Sequence, residues 1–393
     1  MKHIALLVGS MMLVGAAPPP GPQANYWMDV ATSSGMGAGM TRGGSQPSME
    51  QIRRMMNGGG GAQHSLNLYL ASKTKAAAPE AQHMIPPGMQ MGTSLPLIAP
   101  ARPAAEPTDY SQPGHFQRPQ GRMLIYWGCG EHSGSGQPTV VDFAKLAPGQ
   151  TPPGFASMMS TVHSTQPPRA GQSAGFGEWP NDKDFRTVPT AASLIGPHKV
   201  EGNYSPPIAF SLAAGQDFMP ALGLREAGGL PSGAIALAWT PATQATGYAL
   251  SMFGRTEGGD TIVWTSASKA AAFPNMDYMS PAQVKPLVAS GAVLSPSTSQ
   301  CTVPAEVVRA SPAGMVMMIG YGPEAAFSDK PKAPTWTVRA RYKTTASLML
   351  GMAGMFGESG GSQDQAQQQQ QQQPPKKKKR GIGLGDILGV VPH

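Results

Sequence analysis

The stretch "YWGCGEHSGSGQ" at 126–137 holds the densest group of potentially reactive side chains in the sequence. It places Cys129, Glu131, His132 and Ser133 within five positions. A thiol nucleophile or a metal site on a glycine-rich loop would use these residue types. Side chains so close in sequence on a loop rarely converge as a nucleophile and its base, and no partner Asn or Asp can be identified. We therefore interpret the stretch as a glycine-rich hairpin and assign no catalytic, metal-binding or cofactor-binding residue.

The sequence contains two cysteines, Cys129 and Cys301, which lie 172 positions apart. In an oxidising compartment they could form a disulfide that joins distant parts of the chain. The alternative is two separate buried thiols that behave as small apolar residues. The sequence leaves both readings open.

Two further patterns could support chemistry. The segment "HMIPPGMQMG" places three methionines, Met84, Met89 and Met91, beside His83. Thioethers suit Cu(I), so a copper-handling protein is one alternative, although methionine also serves as an apolar filler. The other alternative is a hydrolase with dispersed carboxylates.

That hydrolase would need an acidic pair on the two sides of one cleft. The candidates are Asp142 with either Glu178 or Asp182. The sequence alone does not show whether these carboxylates meet.

The N-terminus has the layout of a secretory signal peptide, which we assign to residues 1–16. Lys2 precedes an apolar run from Ile4 to Val14, and small residues follow, so cleavage is expected after Ala16. The run is shorter than the ~20 residues that a membrane-spanning helix needs. We therefore expect a bacterial protein exported to the periplasm, the outer envelope or the extracellular space.

The C-terminus combines a polyglutamine tract, a basic block and a short apolar stretch. The block Lys376, Lys377, Lys378, Lys379 and Arg380 carries five of the net +7 charges. In a helix, Leu384, Ile387, Leu388 and Val391 would share one face. Such a segment fits contact with an anionic membrane surface, and the alternative is a flexible tail. Export argues against nuclear import, so nucleic acid is not expected as a partner.

The body of the chain predicts a mainly β fold, because many short alternating segments are bounded by Gly, Pro, Asn or Ser. Leu66, Leu68 and Leu70 give one example, and the clearest helix starts at a Ser280 cap. We predict a flexible Gly/Pro/Met-rich segment at 17–61, two β-sandwich domains at 62–225 and 226–350, and a Gly/Gln-rich linker at 351–375. The polybasic and amphipathic tail would occupy 376–393.

Two segments share the pattern Gly-x-[Met/Ile]-x-[Ile/Leu]-x-Trp, namely "GRMLIYW" at 121–127 and "GAIALAW" at 233–239. Alternation places Trp127 and Trp239 on the core face of each strand. The segment "TWTVRARYK" points Trp336 and Tyr342 inward and Arg339, Arg341 and Lys343 outward. It is either a basic recognition stripe on a sheet or an edge strand protected by charge.

The segment "IALAWTPATQATGYALSMFG" resembles fibronectin type III and immunoglobulin-like domains. One strand ends at Trp239-Thr240-Pro241, and the next opens at Tyr248 after a short turn. The resemblance covers about 230–345 and implies a β-sandwich that serves as a binding or spacer module. Neither Tyr321 nor Tyr342 matches the family's conserved tyrosine position well.

These features favour an exported, non-enzymatic envelope or surface protein that presents β-sandwich domains to a protein or glycan of the cell envelope. Its basic tail would add a tether to an anionic membrane surface. No cofactor is expected. The hydrolase and the copper-handling protein remain the alternatives.

Overall fold

The computed structural model describes residues 21–35, 61–101, 121–145, 165–270 and 274–351. The described part of the chain is mainly β and contains sixteen strands and two α-helices. The strands are β1 (Ala24–Gly35), β2 (Gln63–Ser72), β3 (Ala81–Met84), β4 (Ser94–Leu97), β5 (Arg122–Trp127), β6 (Thr139–Asp142), β7 (Gly175–Trp179), β8 (Gly196–Gly202), β9 (Ser205–Leu212), β10 (Arg225–Gly229), β11 (Ile235–Ala238), β12 (Gly247–Arg255), β13 (Thr261–Thr265), β14 (Gln300–Val303), β15 (Met315–Ser328) and β16 (Trp336–Met349). The helices are α1 (Pro281–Ser290) and α2 (Ala305–Ala310), and single 3-10 turns lie at Pro87–Met89 and Phe143–Lys145.

The largest sheet has nine strands in the order β6-β5-β13-β12-β15-β16-β1-β2-β7. Two of its pairs are parallel, β1 with β16 and β5 with β13, and the others are antiparallel. Seven consecutive strands from β10 to β16 supply the centre of this sheet and a second, three-stranded sheet in the order β10-β11-β14. Strands from the N-terminal half extend the large sheet at both edges of that seven-strand unit.

One face of the nine-stranded sheet is covered by the two smaller sheets. The third sheet has the order β4-β3-β8-β9. A single hydrophobic cluster joins all three sheets, with Met28 from β1, Val200 and Ile208 from the four-stranded sheet, and Leu237 and Val303 from the three-stranded sheet. The core therefore lies between layers of β-sheet.

The opposite face of the nine-stranded sheet, called the outer face here, is covered only in part. Helix α1 packs there over β12 and β15, where Val284 meets Ile319 and Tyr321 in a second, smaller cluster. Ser280 caps α1, because its hydroxyl accepts the backbone N–H of Gln283 while the Gln283 side chain accepts the backbone N–H of Ser280. The predicted helix and its cap are confirmed.

Two expectations about where strands lie differ from the structure. Residues 24–35, predicted to be part of a flexible segment, form β1, an interior strand of the large sheet. The cause is a two-residue alternation, in which Tyr26, Met28 and Val30 face the core. Strand β16, interpreted as an edge strand, lies between β15 and β1, so its arginines do not protect an edge.

The predicted division into two sandwich domains is not confirmed, because hydrogen-bonded pairing of β5 with β13 joins the range 62–225 to the range 226–350. The Trp of "GAIALAW" lies in the core as expected. In "GRMLIYW" the phase is wrong, since Leu124 and Tyr126 contact the core while Trp127 is half-buried. Ile125 and Tyr126 are both buried, so β5 is covered on both faces and alternation could not identify the core side.

Candidate functional site

The stretch that the sequence singled out is a connection between two antiparallel strands, β5 and β6, so the hairpin interpretation is confirmed. Cys129 in this connection forms a disulfide with Cys301 of β14, with Cα atoms 5.0 Å apart. The bond links the nine-stranded sheet to the three-stranded sheet.

The same connection is held by Glu306 of α2. Its carboxylate accepts the Nδ1–H of His132 at 3.0 Å and the backbone N–H of Ser133 at 2.8 Å. The Ser133 and His132 hydrogen bonds lower the pKa of Glu306 to about 2. His132 and Glu306 therefore anchor a loop, and they do not form a nucleophile–base pair with Ser133.

The methionines near His83 belong to the core. Met89 and Met91 are buried in the main hydrophobic cluster. Both nitrogens of His83 are engaged, Nδ1 with the hydroxyl of Tyr26 at 2.8 Å and Nε2 with Nδ1 of His198 at 2.9 Å. His198 Nε2 lies 2.6 Å from the carbonyl oxygen of Leu194. Both imidazoles are thus committed to hydrogen bonds, and the described residues contain no group of three His, Cys, Asp or Glu placed to hold a metal ion.

The polar chain of Tyr26, His83 and His198 links β1 of the large sheet to β3 and β8 of the four-stranded sheet. All its contacts are satisfied if both imidazoles are neutral: Tyr26 donates to His83, His83 donates to His198, and His198 donates to Leu194. Burial lowers the pKa of His83 and of His198. Neutral imidazoles are thus the stable form inside this core.

The acidic pairs suggested for a hydrolase do not share a cleft. Asp142 is the last residue of β6, and Glu178 lies on β7. These are the two opposite edges of a nine-stranded sheet, and neighbouring strands are ~4.8 Å apart. Asp182 lies just beyond β7, near enough to Glu178 that its charge adds to burial in raising the pKa of Glu178.

An open cleft of about 390 Å³ lies on the outer face of the nine-stranded sheet, and we call it the outer cleft. Its floor is formed by three neighbouring strands, β2, β1 and β16. The segment 165–167 and the loop that leads into α1 supply further lining residues. The lining consists of Asp29, Ala31, Ser33, Ser65, Asn67, Tyr69, Gln166, Pro167, Asp277, Tyr278, Arg341, Lys343 and Thr345.

Strand register brings the floor of the outer cleft together. Asp29 on β1 lies opposite Asn67 on β2 and Arg341 on β16. The next outward-facing position, Ala31, lies opposite Ser65 and Lys343. Because residues two apart point to the same face of a strand, these two rows stack side by side. The small Ala31 leaves the centre of the floor open, with polar side chains around it.

Arg341 is enclosed on every side. Its Nε and Nη2 donate to the two carboxylate oxygens of Asp29 at 2.7 and 2.6 Å, and its Nη1 donates to the carbonyl oxygen of Thr165. The rings of Trp27 and Tyr278 lie 4.9 and 4.6 Å from the guanidinium carbon. The Arg341 side chain is only 5% exposed, so it forms part of the floor.

Burial raises the pKa of Asp29, and the hydrogen bonds and charge of Arg341 oppose this shift. Such a bidentate pair in a desolvated position is strong and directional. It fixes the position of β16 against β1 beneath the outer cleft.

Lys343 and Asp277 form a second, more open pair. The Lys343 ammonium lies 3.3 Å from Oδ1 of Asp277 and 3.3 Å from the carbonyl oxygen of Met276. It also lies 4.3 Å from the centre of the Tyr278 ring. The side chains of Lys343 and Asp277 are 18% and 41% exposed, so this pair faces solvent in the cleft.

The environment keeps Asp277 ionised and the two phenols protonated. Burial acts to raise the pKa of Asp277, but the ammonium of Lys343, the backbone N–H of Tyr278 and the guanidinium of Arg341 outweigh it and hold this pKa below its usual value. Burial raises the pKa of Tyr69 and of Tyr278 well above the usual value, and the charge of Asp29 adds to both shifts. The cleft thus offers carboxylate, ammonium, phenol, amide and hydroxyl groups together.

Sequence reasoning identified Arg341 and Lys343 as outward-facing cations and missed their partners. Asp29 stood in a segment expected to be flexible, although the alternation of Tyr26, Met28 and Val30 signals a strand. Asp277 lies in the loop before α1, and no sequence pattern connects it to Lys343, 66 positions away.

The predicted signal peptide at 1–16 and the predicted membrane contacts from Lys376 to Val391 lie outside the described residues. None of the helices within the described ranges is long and apolar enough to span a membrane. Comparisons of this chain with protein-family models, with curated proteins and with solved structures find no match.

Proposed function

We propose that this protein is an exported, non-enzymatic binding protein of the cell envelope or surface, and that it holds a glycan in the outer cleft. Export rests on the pattern of residues 1–16, and the binding role rests on the cleft. The observation that carries the proposal is the lining of the cleft, in which two ion pairs, several hydroxyl groups and two side-chain amides lie around Ala31 beside aromatic rings.

The chemistry of the lining favours a glycan over a protein partner. Protein interfaces depend on buried apolar and aromatic anchors that fill pockets on the partner. Here the floor includes Ser33, Ser65, Asn67 and Thr345, whose side chains both donate and accept hydrogen bonds. A volume of about 390 Å³ lies in the range of ~300–1,000 Å³ that is usual for small-ligand sites. One end of a saccharide chain fits this description.

The state of the carboxylates favours binding over hydrolysis. A glycoside hydrolase uses two carboxyl groups that flank the reacting bond, one of them able to donate a proton. Both oxygens of Asp29 accept hydrogen bonds from Arg341, and Asp277 is paired with Lys343. These contacts suit a fixed surface that recognises hydroxyl groups.

We also propose that strands β10 to β16 form a module of the fibronectin type III or immunoglobulin-like kind. Seven consecutive strands divide into the set β10-β11-β14 and the set β13-β12-β15-β16, which share one hydrophobic core. Two facing antiparallel sheets with such crossing connections are typical of these sandwiches. The chain differs from the family at its conserved tyrosine, whose hydroxyl normally bonds to the backbone a few residues upstream. Here the hydroxyl of Tyr321 donates to the carbonyl oxygen of Asn275, 46 residues upstream.

The basic C-terminus completes the proposal as a tether. Each Lys or Arg near an anionic bilayer adds ~1 kcal/mol of attraction, and Lys376 to Arg380 supply five. A surface tether behind a glutamine-rich linker would hold the binding module close to the envelope.

The test is binding of the purified full chain to an array of neutral, acidic and amino-containing oligosaccharides. Ser65→Tyr fills the cleft from its floor without removing an ion pair. Ser211→Tyr is the matched control, because Ser211 is an exposed serine on β9, outside the cleft. We expect binding that Ser65→Tyr abolishes and Ser211→Tyr preserves, with the ligand recovered uncleaved. Absence of binding, binding that is indifferent to Ser65→Tyr, or cleavage of the ligand contradicts the proposal.

A further inference from the structure

We infer that the ligand of the outer cleft is an uncharged saccharide, and that a pair of adjacent hydroxyl groups bridges Lys343 and Asp277. The inference rests on the proposed function and specifies the chemical class of its ligand. Two observations support it. Only the Lys343–Asp277 pair can contact a ligand directly, and a charged ligand would disrupt that ion pair.

The Arg341–Asp29 pair does not offer its polar atoms to a ligand. Nε, Nη1 and Nη2 of Arg341 are all engaged, and the Asp29 carboxylate that they contact is only 7% exposed. Two aromatic rings cover the faces of the guanidinium. This pair therefore shapes the floor of the outer cleft, and the ligand is recognised by Lys343 and Asp277 instead.

The Lys343–Asp277 pair is built to admit hydroxyl groups. An ammonium group has three donors, and the contacts of Lys343 with Met276 and Asp277 are both 3.3 Å, longer than a strong charge-assisted hydrogen bond. The exposed side of Asp277 can accept a further hydrogen bond, since a carboxylate has about four acceptor positions. One hydroxyl can therefore accept from Lys343 while its neighbour donates to Asp277, and the ion pair stays in place.

A charged ligand would disrupt this arrangement. The four ionised groups of the cleft, Asp29, Asp277, Arg341 and Lys343, sum to zero charge. An anionic sugar would compete with Asp277 for Lys343 and weaken the ion pair between them. A cationic sugar would compete with Lys343 for Asp277 in the same way. Weakening a partly buried pair is unfavourable, so charged sugars are disfavoured.

The remaining lining suits a pyranose ring. The half-buried ring of Tyr69 gives an aromatic surface for the apolar C–H side of the sugar, whereas the Tyr278 ring is already covered by Arg341 and Lys343. Ser33, Ser65 and Asn67 supply donors and acceptors for its other hydroxyl groups. The sugar would therefore lie over Ala31 with its hydroxyl edge towards Lys343 and Asp277.

The test uses saturation-transfer difference NMR on the full chain with defined methyl glycosides. The neutral probes are the gluco, manno and galacto epimers of methyl hexopyranoside. The epimer with the strongest signal is then compared with its uronic acid, its 2-amino sugar and its 3-deoxy form, which lacks adjacent ring hydroxyl groups in all three series. We expect each of the three changes to weaken binding at least tenfold.

The variants are Lys343→Met and Asp277→Asn, with Arg339→Met as the matched control on the same strand but outside the cleft lining. Both cleft variants should weaken binding of the neutral probe at least tenfold, and Arg339→Met should not. Asp277→Asn should in addition improve binding of the uronic acid, because Lys343 then lacks a competing carboxylate. This gain cannot arise from a variant that fails to fold.

The outcomes separate the two proposals. The inference is wrong if charged sugars bind best. It is also wrong if Lys343→Met and Asp277→Asn leave binding of the neutral sugar unchanged while Ser65→Tyr abolishes it. In both cases the proposal that the outer cleft binds a glycan is retained. If no probe binds and the oligosaccharide array is also negative, the proposed function itself is wrong.

Discussion

Asp29 and Arg341 are partners in parallel strands that are 312 positions apart in sequence, and their side chains form a buried bidentate ion pair at 2.6 and 2.7 Å. The pair joins the first described strand of the chain to the last one. It is covered by Trp27 and Tyr278 and forms the floor of the outer cleft. Its geometry therefore matters both for the stability of the large sheet and for the shape of the candidate site.

Replacing Arg341 with Met should destabilise the fold substantially. Asp29 would remain buried at 7% exposure without its counter-ion, and breaking a buried pair in this way typically costs ~3–5 kcal/mol. Arg341→Lys should also be destabilising, because one ammonium cannot reproduce the bidentate contact. Urea-induced unfolding of each variant against the original protein gives the free energies.

The matched control is Arg339→Met on the same face of β16. Arg339 is 36% exposed and contacts Glu324 at 3.3 Å, so its removal should change the free energy of unfolding by less than ~1 kcal/mol. Equal effects of Arg341→Met and Arg339→Met would show that the buried pair has no special role.

The large sheet illustrates what the sequence can and cannot predict. Alternation identified β2, β11 and β16, and the Ser280 cap identified α1, because each of these patterns is local. The position of β16 in the sheet depends on β1, which contacts it across more than 300 residues, and no local pattern carries that information. β1 was missed because its signal lies among Gly, Pro and Ser residues that predict flexibility.

Acidification should destabilise the protein through His83 and His198. Burial lowers the pKa of both imidazoles in the folded state below the ordinary value of 6.5. The unfolded chain then binds more protons below ~6.5, so the free energy of unfolding is greatest above that pH and falls as the pH decreases towards the folded-state pKa values. With two such groups, the free energy of unfolding should change by up to ~2.7 kcal/mol per pH unit.

The measurement is urea-induced unfolding between pH 7.5 and 5. The double substitution of His83 and His198 by Gln should flatten the dependence, whereas His132→Gln should not, because His132 is on the surface. A dependence that is identical in all three proteins would rule out the buried histidines as its source.

Reduction of the Cys129–Cys301 disulfide should lower the stability of the protein. The bond closes a loop of 172 positions, and loss of a native disulfide typically costs ~2–5 kcal/mol. The melting temperature should fall in dithiothreitol, and the Cys129→Ser/Cys301→Ser protein should show the lower value under both conditions. Two thiols that react freely in the untreated, denatured protein would contradict the bond.

The tail should direct the protein to anionic bilayers. The full chain should co-sediment with vesicles that contain phosphatidylglycerol more strongly than with neutral vesicles, and salt should reduce the difference because the attraction is screened. A chain that ends at Gln373 should lose the preference. Equal sedimentation of both chains would leave the basic block without a membrane role.

The candidate site was predicted only in part, because, as for the large sheet, most of its residues come from distant parts of the sequence. The outward-facing Arg341 and Lys343 follow from the two-residue period of β16. The groups that complete the cleft come from β1, β2, the segment 165–167 and the loop before α1, which the fold brings together. The most reactive-looking stretch of the sequence proved to be a hairpin held by a disulfide and Glu306.

The most direct test of the central claim is a crystal structure of the full chain with the saccharide that binds most strongly in the array. The account predicts the sugar in the outer cleft over Ala31, with one hydroxyl within hydrogen-bond distance of Lys343 Nζ and the adjacent hydroxyl within hydrogen-bond distance of the Asp277 carboxylate. A sugar bound elsewhere on the molecule, with the outer cleft empty, would contradict it.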